Sequence, residues 1–200
     1  LDELPEFDRK TLEVLRQPLE SHEVVISRAA RQVTFPARFQ LIAAMNPCPC
    51  GGSGDAVSAC KCSPDMVSRY RARLSGPLLD RIDLHIDVPA LPASDLQQRV
   101  KAEDSATVRA RVIAARQRQI RRQGSGNHRL SPQQLDQYAT LGVAEQQIMQ
   151  MAQQRLGLSA RGYHRVLRVA RTIADLAGAE QIAALHLTEA LGYRGNMDAR

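Results

Sequence analysis

An apolar residue runs straight into a pair of acids at Leu1-Asp2-Glu3, with Leu4-Pro5-Glu6-Phe7 following. Adjacent acids can divide the chemistry of phosphoryl transfer to water. The Asp2 carboxylate would hold Mg²⁺, usually through water, and Glu3 would polarise the water that attacks a γ-phosphate. Acids are also favoured in the first turn of a helix, so the pair has a purely local explanation as well. A second cluster is more compact: Cys48-Pro49-Cys50 and Cys60-Lys61-Cys62 hold all 4 cysteines of the chain. Two C-x-C pairs around a Gly-containing loop bring four thiolates within reach of one tetrahedral Zn²⁺. C-x-x-C is the commoner knuckle, and free thiols or disulfides are the alternatives. No histidine lies close to these cysteines, so a catalytic thiol is not expected.

The elements that must position these groups change character along the chain. Asp8 is a good N-cap for a helical period carrying Leu12, Val14, Leu15 and Leu19 to Glu20. His22–Ser27 and Gln32–Phe35 read as the two strands of a β-hairpin with Arg28 and Arg31 at its tip, ended by Pro36. Phe39–Met45 is a nearly continuous apolar run, which suits a parallel strand buried on both faces. It stops at Asn46-Pro47, and the C-terminal ends of parallel strands are where open α/β sheets place ligand contacts. Ser63-Pro64 starts a helix running through Arg73. Leu79–Pro89 reads as a strand, alternating apolar and polar residues in its second half and ended by Pro89. Pro89–Pro92 is the best linker, dividing an α/β part, residues 1–92, from an all-helical part, residues 93–200. The second part reads as helices over Ser105–Gln123, from Ser131, over Val143–Arg155, over Ser159–Ala177, and around Leu187–Tyr193, with glycines at their ends.

Composition sets limits. The 200 residues are 44% hydrophobic but only 4% aromatic, so the core must be aliphatic. A net charge of +6 permits a polyanionic partner without requiring one. Nine Lys/Arg and two acids fall between Arg99 and Arg129, with Arg111, Arg118 and Arg122 on one helical stripe. No aromatic residues interleave them, so base stacking is not supported and a solvated face is the simpler reading. Arg165 and Arg168 read likewise. No apolar run approaches membrane-spanning length and no secretory signal is evident, so a cytoplasmic protein with reduced thiols is expected.

Five segments in order resemble a known family. They are Leu1–Phe7, Pro36–Phe39, Ala43–Gly51, Leu74–Asp83 and Leu158–Arg165, the last continued by Ala170–Leu176. Together they resemble the AAA+ ATPases, and within them the magnesium-chelatase-like, ComM/YifB-like group. The resemblance implies a fold of α/β followed by all-α: a partial AAA+ core of parallel-sheet strands with a β-hairpin insertion, then a helical lid. It implies ATP and Mg²⁺ as cofactors, with Zn²⁺ at the cysteines remaining an open alternative. It assigns Asp2 and Glu3 to Walker B, Asn46 to sensor 1, Arg81 to an arginine finger and Arg161 to sensor 2. The hairpin matches an insertion that touches DNA, here through Arg28 and Arg31, against a plain reading of solubilising charges. Without the family, Arg81 reads as the partner of Asp80 or Asp83.

The implied activity of the whole protein is ATP hydrolysis in a ring, expected to be a hexamer, that remodels DNA by branch migration in transformation or recombination. No G-x-x-x-x-G-K-[ST] loop occurs in these residues. The expectation is therefore a portion of a longer protein, with little or no hydrolysis by this portion alone. Two other classes remain: a chelatase-type motor subunit, and a non-catalytic, zinc-stapled DNA-binding module.

Overall fold

A computed structural model describes residues 1–28, 31–52, 60–89 and 102–194. The chain divides into two compact units, Leu1–Ile82 with Val88–Ala90, and Asp83–Asp87 with Leu91–Arg200. The linker segment Ala90–Pro92 lies outside the described residues.

In the first unit a 3-10 turn, Leu4–Glu6, leads into helix α1, Arg9–Val14. Asp8 caps α1, its carboxylate accepting from the Lys10 and Thr11 amides. One helix was expected through Glu20. The chain instead breaks at Leu15 and restarts as α2, Arg16–Ser21. Pro18 supplies the reason: it has no N–H to continue the ladder of an unbroken helix, but fits the first turn of a new one. Strands β1, Glu23–Arg28, and β2, Arg31–Pro36, pair antiparallel with Val24 opposite Phe35, Ile26 opposite Val33 and Arg28 opposite Arg31. The expected hairpin is present, and it is the only sheet among the described residues.

The apolar run at 39–45 differs from expectation. It is extended but forms no regular strand, and Phe39 and Ile42 are exposed. Burial on both faces needs covering layers, and a ladder needs neighbours on both edges. Among the described residues only Leu1–Leu4 bonds to this run. Leu1 donates to the Ile42 carbonyl at 2.8 Å and accepts from the Ala44 amide at 2.9 Å. That is the bonding of one parallel pairing. Residues 79–89 likewise form no strand: Leu79 closes a helical turn, and Leu84, Ile86 and Val88 are all exposed. Alternation marks a face, but a strand also needs a partner, and none of the described residues supplies a ladder there.

Helix α3, Pro64–Arg71, begins as expected from its Ser63 cap, and α4 is a single turn, Gly76–Leu79, capped by Ser75. Leu4, Leu12, Leu74 and Leu78 form the core of the first unit, with Met45 packed against it. Four leucines make a small core, as expected of residues joined mostly by short helices and loops.

The second unit is helical and follows the sequence closely. α5 is Ser105–Gln123, α6 Pro132–Tyr138, α7 Val143–Leu156, α8 Ala160–Ala177 and α9 Ala184–Gly192. Gly124, Gly157 and Gly178 end α5, α7 and α8 in the left-handed conformation that only glycine adopts cheaply. α8 is the axis of this unit. Its Val166, Leu167, Ala170 and Ala174 join Leu135, Met149 and Leu187 in one core.

Beside that core lies a charged knot. Asp175 is 1% exposed and accepts from Nη1 and Nη2 of Arg122, at 2.6 and 3.0 Å. It also accepts from Arg171 at 2.9 Å and from the Asn127 amide at 2.8 Å. Arg118 donates to the Asp175 carbonyl at 2.8 Å. The stripe that could have tracked a phosphate backbone therefore turns two of its arginines inward. Arg168 bonds the Leu130 carbonyl and Arg165 pairs with Asp83, so neither is a freely solvated charge.

Burial alone would raise the Asp175 pKa. The bonds from Arg122 and Asn127 and the Arg171 charge outweigh it, and the net shift is downward. Burial in turn lowers the Arg171 pKa, but two guanidiniums on one carboxylate make the anion the better-compensated member. Asp175→Ala should lower unfolding free energy by about 3–5 kcal/mol, read from the urea midpoint, because the buried Arg171 and the half-buried Arg122 lose their counter-charge. A carboxylate whose folded pKa is depressed stabilises fully above its unfolded value. The midpoint of the unmodified protein should thus fall as pH drops below the ordinary aspartate value of 3.8, and that part of the pH dependence should vanish in Asp175→Ala.

Candidate functional site

The single parallel pairing sets where the acid pair stands. An unbroken ladder would next have the Glu3 amide donate to Ala44. Instead Leu4 makes that bond at 2.9 Å, and the Glu3 amide donates to its neighbour's carboxylate, Asp2 Oδ1, at 2.9 Å. The slip occurs because Glu3 is left-handed, with φ 51° and ψ 48°. For a residue with a side chain this costs about 1–3 kcal/mol, a kind of strain that clusters where function requires it. The result is that both carboxylates leave the pairing exposed to solvent.

Asn46 follows the same paired run by two residues. Tyr70 of α3 is 5% exposed. It hydrogen-bonds with the Asn46 backbone and lies near Glu6 and Glu3. Burial first, then the negative charges of those acids, push its phenol pKa upward. Tyr70 thus bonds the Asn46 backbone and feels the charge of Glu3. The broad surface hollow of about 600 Å³ lined by Glu6, Phe7, Arg69 and Arg73 includes none of Asp2, Glu3 and Asn46.

Four sulfurs lie directly beyond Asn46. Cys48, Cys50, Cys60 and Cys62 place their Sγ atoms within 4.8 Å of one another, a group able to hold a metal ion. The Cys48–Cys50 separation is 3.4 Å, and those of Cys48–Cys60 and Cys50–Cys60 are 3.7 Å, so these are free thiols and not disulfides. Cys48 is buried, Cys62 half-buried, and the other two exposed. The Gly52 and Lys61 backbones, with Cys48 and Cys62, draw the Cys50 pKa down to about 6. Cys62, bonded to Cys50 and partly desolvated, is pushed up to about 12. Crowded thiols share negative charge unequally when nothing positive stands among them.

Arg81 stands at the C-terminal side of α4. Its side chain is 9% exposed and fully engaged within its own unit. Nε donates to the Arg16 carbonyl at 3.1 Å, Nη1 to the Pro77 carbonyl at 2.6 Å, and Nη2 to Glu20 at 2.6 Å. Its acidic partner is Glu20, 61 residues earlier, which no local reading of the sequence would select. Asp83, the acid considered from the sequence, instead holds Arg165. Arg28 and Arg31 are exposed at the hairpin tip on the same face as Ile26 and Val33. Arg161 is exposed in the first turn of α8, in the second unit, just after the Ser159 cap.

A chain with this acid pair, hairpin, cysteine loop and helical second unit has clear relatives. Residues 1–96 match the family model described as magnesium chelatase, subunit ChlI, and residues 102–194 match that of the ChlI C-terminal region. The chain is 50% identical over 195 residues to the competence protein ComM of Haemophilus influenzae, covering 97% of this chain and 38% of that protein. It is 48% identical over 198 residues to YifB of Salmonella typhimurium and 45% identical over 198 residues to YifB of Escherichia coli, with the same coverage. The chain belongs to this magnesium-chelatase-like family, that of ComM and YifB. It spans 38% of the length of these relatives.

The three bonds of Arg81 give a direct test. Arg81→Ala should lower unfolding free energy by about 1–3 kcal/mol, since two carbonyls and a carboxylate lose their donor. A urea midpoint unchanged from the parent would show that the bonds hold nothing.

Proposed function

We propose that this chain supplies the water-activating and lid portions of an AAA+ ATPase that acts as a ring, expected to be a hexamer, to remodel DNA. The observation that carries the reading is the 50% identity over 97% of the chain to a protein named for competence. Competence concerns the uptake of DNA, and a basic chain with a cationic hairpin tip suits a DNA partner. The domain reading goes with it: residues 1–92 complete an α/β core and residues 93–200 form the lid.

Each site residue has a role that its chemistry fits. Asp2 would hold Mg²⁺ through water, and Glu3 would polarise the attacking water. The exposure of both leaves room for nucleotide and metal to approach. Asn46 would orient the same water by hydrogen bonding. Arg161, in the first turn of the lid helix, would meet nucleotide phosphate. Arg81 would stabilise the transferring phosphoryl group of a neighbouring subunit, which requires it to exchange Glu20 for that anion. Arg28 and Arg31 would contact DNA phosphates without reading sequence.

A second reading has its own support in the family description. The chain would then serve a motor that drives metal insertion into a tetrapyrrole. Binding of branched DNA by the full-length protein, with no rescue of a chelatase-deficient strain, favours the DNA motor; the opposite pair of results overturns it. DNA binding without any hydrolysis would leave a non-catalytic module.

Two further outcomes follow. In the full-length protein Glu3→Gln should cut DNA-stimulated ATP hydrolysis about 10²-fold or more while ATP binding persists. Retained turnover would remove Glu3 from the chemistry. Arg28→Ala with Arg31→Ala should weaken binding equally for unrelated DNA sequences. It should also reduce the slope of log K against log salt by about 1.8, the share of two phosphate contacts. An unchanged slope would assign the tip to solubility.

A further inference from the structure

The cysteine group is not used by any step above, yet it is built against the residue that would orient the water. Cys48 and Cys50 sit on a turn closed by the Gly51 amide donating to the Cys48 carbonyl at 3.0 Å. Gly51 has φ +77°, and a methyl placed on it would lie 3.9 Å from the Asn46 side chain. The turn therefore folds back onto Asn46. Cys60 and Cys62 lie just before Ser63, the cap of α3. α3 in turn holds the Asn46 segment through Tyr70 and through an Arg71 bond to the Pro47 carbonyl at 3.3 Å.

The sulfur geometry fits one tetrahedral ion. Zn–S bonds of about 2.3 Å in a tetrahedron give S···S edges of about 3.8 Å. Three of the separations here are 3.4, 3.7 and 3.7 Å. Iron–sulfur clusters spread their cysteine sulfurs over several metal atoms, wider than one tetrahedral edge. Four thiolates with no histidine or carboxylate leave no open position, the pattern of a structural and not a catalytic zinc.

We propose that Cys48, Cys50, Cys60 and Cys62 bind one structural Zn²⁺, and that this ion fixes Asn46 by tying its loop to the start of α3. The cysteines are positioning residues, and hydrolysis becomes dependent on a metal that never touches nucleotide. Removing zinc, or oxidising the thiols with a disulfide reagent, would free the turn that faces Asn46. The zinc site stands on sulfur geometry alone. Its effect on hydrolysis rests on the role proposed for Asn46.

The test uses the full-length protein purified without added zinc. Metal analysis should find one zinc per chain, and Co²⁺ exchange should give intense thiolate-to-cobalt absorption. Less than 0.2 zinc per chain with no cobalt band overturns the site. Zinc is then stripped with a mercurial and chelator, and added back. Hydrogen exchange of the peptide covering residues 43–52 should speed at least tenfold without zinc and recover with it, while peptides of 105–190 stay unchanged. Unchanged exchange at 43–52 overturns the coupling even if the protein proves to have no ATPase activity. Where activity is present, zinc removal should lower kcat at least tenfold with little change in KM for ATP. In Asn46→Ala the same removal should add less than twofold, since both act through one group. Additive losses would overturn the positioning role. Cys60→Ser and Cys62→Ser should reproduce the zinc-free exchange pattern; if either fails to fold, metal removal and restoration decide alone.

Discussion

Three backbone hydrogen bonds carry the arrangement of the candidate site: Leu1 with Ile42 and Ala44, and Leu4 with Ala44. They set two segments about 40 residues apart side by side and so bring an acid pair and an amide to one place. Everything nearby is organised around that pairing. The left-handed Glu3 interrupts it, releasing the carboxylates toward solvent. Met45 leaves it to join the leucine core, and Asn46 emerges at its end against Tyr70. The pairing is short, so the site also leans on α3 and the cysteine turn, which bond or pack against residues 46–47.

The second unit rests on a different constraint. Its aliphatic core is ordinary for packed helices, but the charged knot at Asp175 selects one arrangement of it. A buried carboxylate that accepts from Arg122, Arg171 and Asn127 joins α5, the turn after it and α8 at fixed angles. Hydrophobic packing tolerates sliding, whereas several directed bonds to one anion do not. The cost is desolvation of the guanidiniums, visible in the lowered pKa of Arg171.

Arginines show most plainly what sequence reading can and cannot supply. Their number and spacing were legible, but their direction was not. Arg118 and Arg122 lie on a stripe that suits a phosphate backbone equally well, and they turn inward only because Asp175 arrives from 53 residues or more away. Arg81 sits between Asp80 and Asp83, yet its carboxylate partner is Glu20. Charge pairing at long range depends on which helices meet, and no local pattern encodes that. The two misread strands fail for a related reason. Apolar runs at 39–45 and 84–88 carry strand character, but a strand exists only when a neighbour completes its ladder.

The sequence by itself determined the helices of the second unit with their caps at Ser131 and Ser159, the Ser63 cap in the first unit, the hairpin, and the four-cysteine group. These depend on periodicity, on glycine's access to positive φ and on side chains that bond backbone amides a few residues away, all of which are local. It also marked Asp2 and Glu3, because two adjacent acids behind an apolar residue form a recognisable pattern. Only the tertiary structure decided that Glu3 is left-handed, that Tyr70 bonds the Asn46 backbone, that Arg81 is held by Glu20, and that the four sulfurs gather within 4.8 Å of one another beside Asn46. Each of these joins residues distant in the chain, where the outcome is set by packing and by which backbone groups find partners.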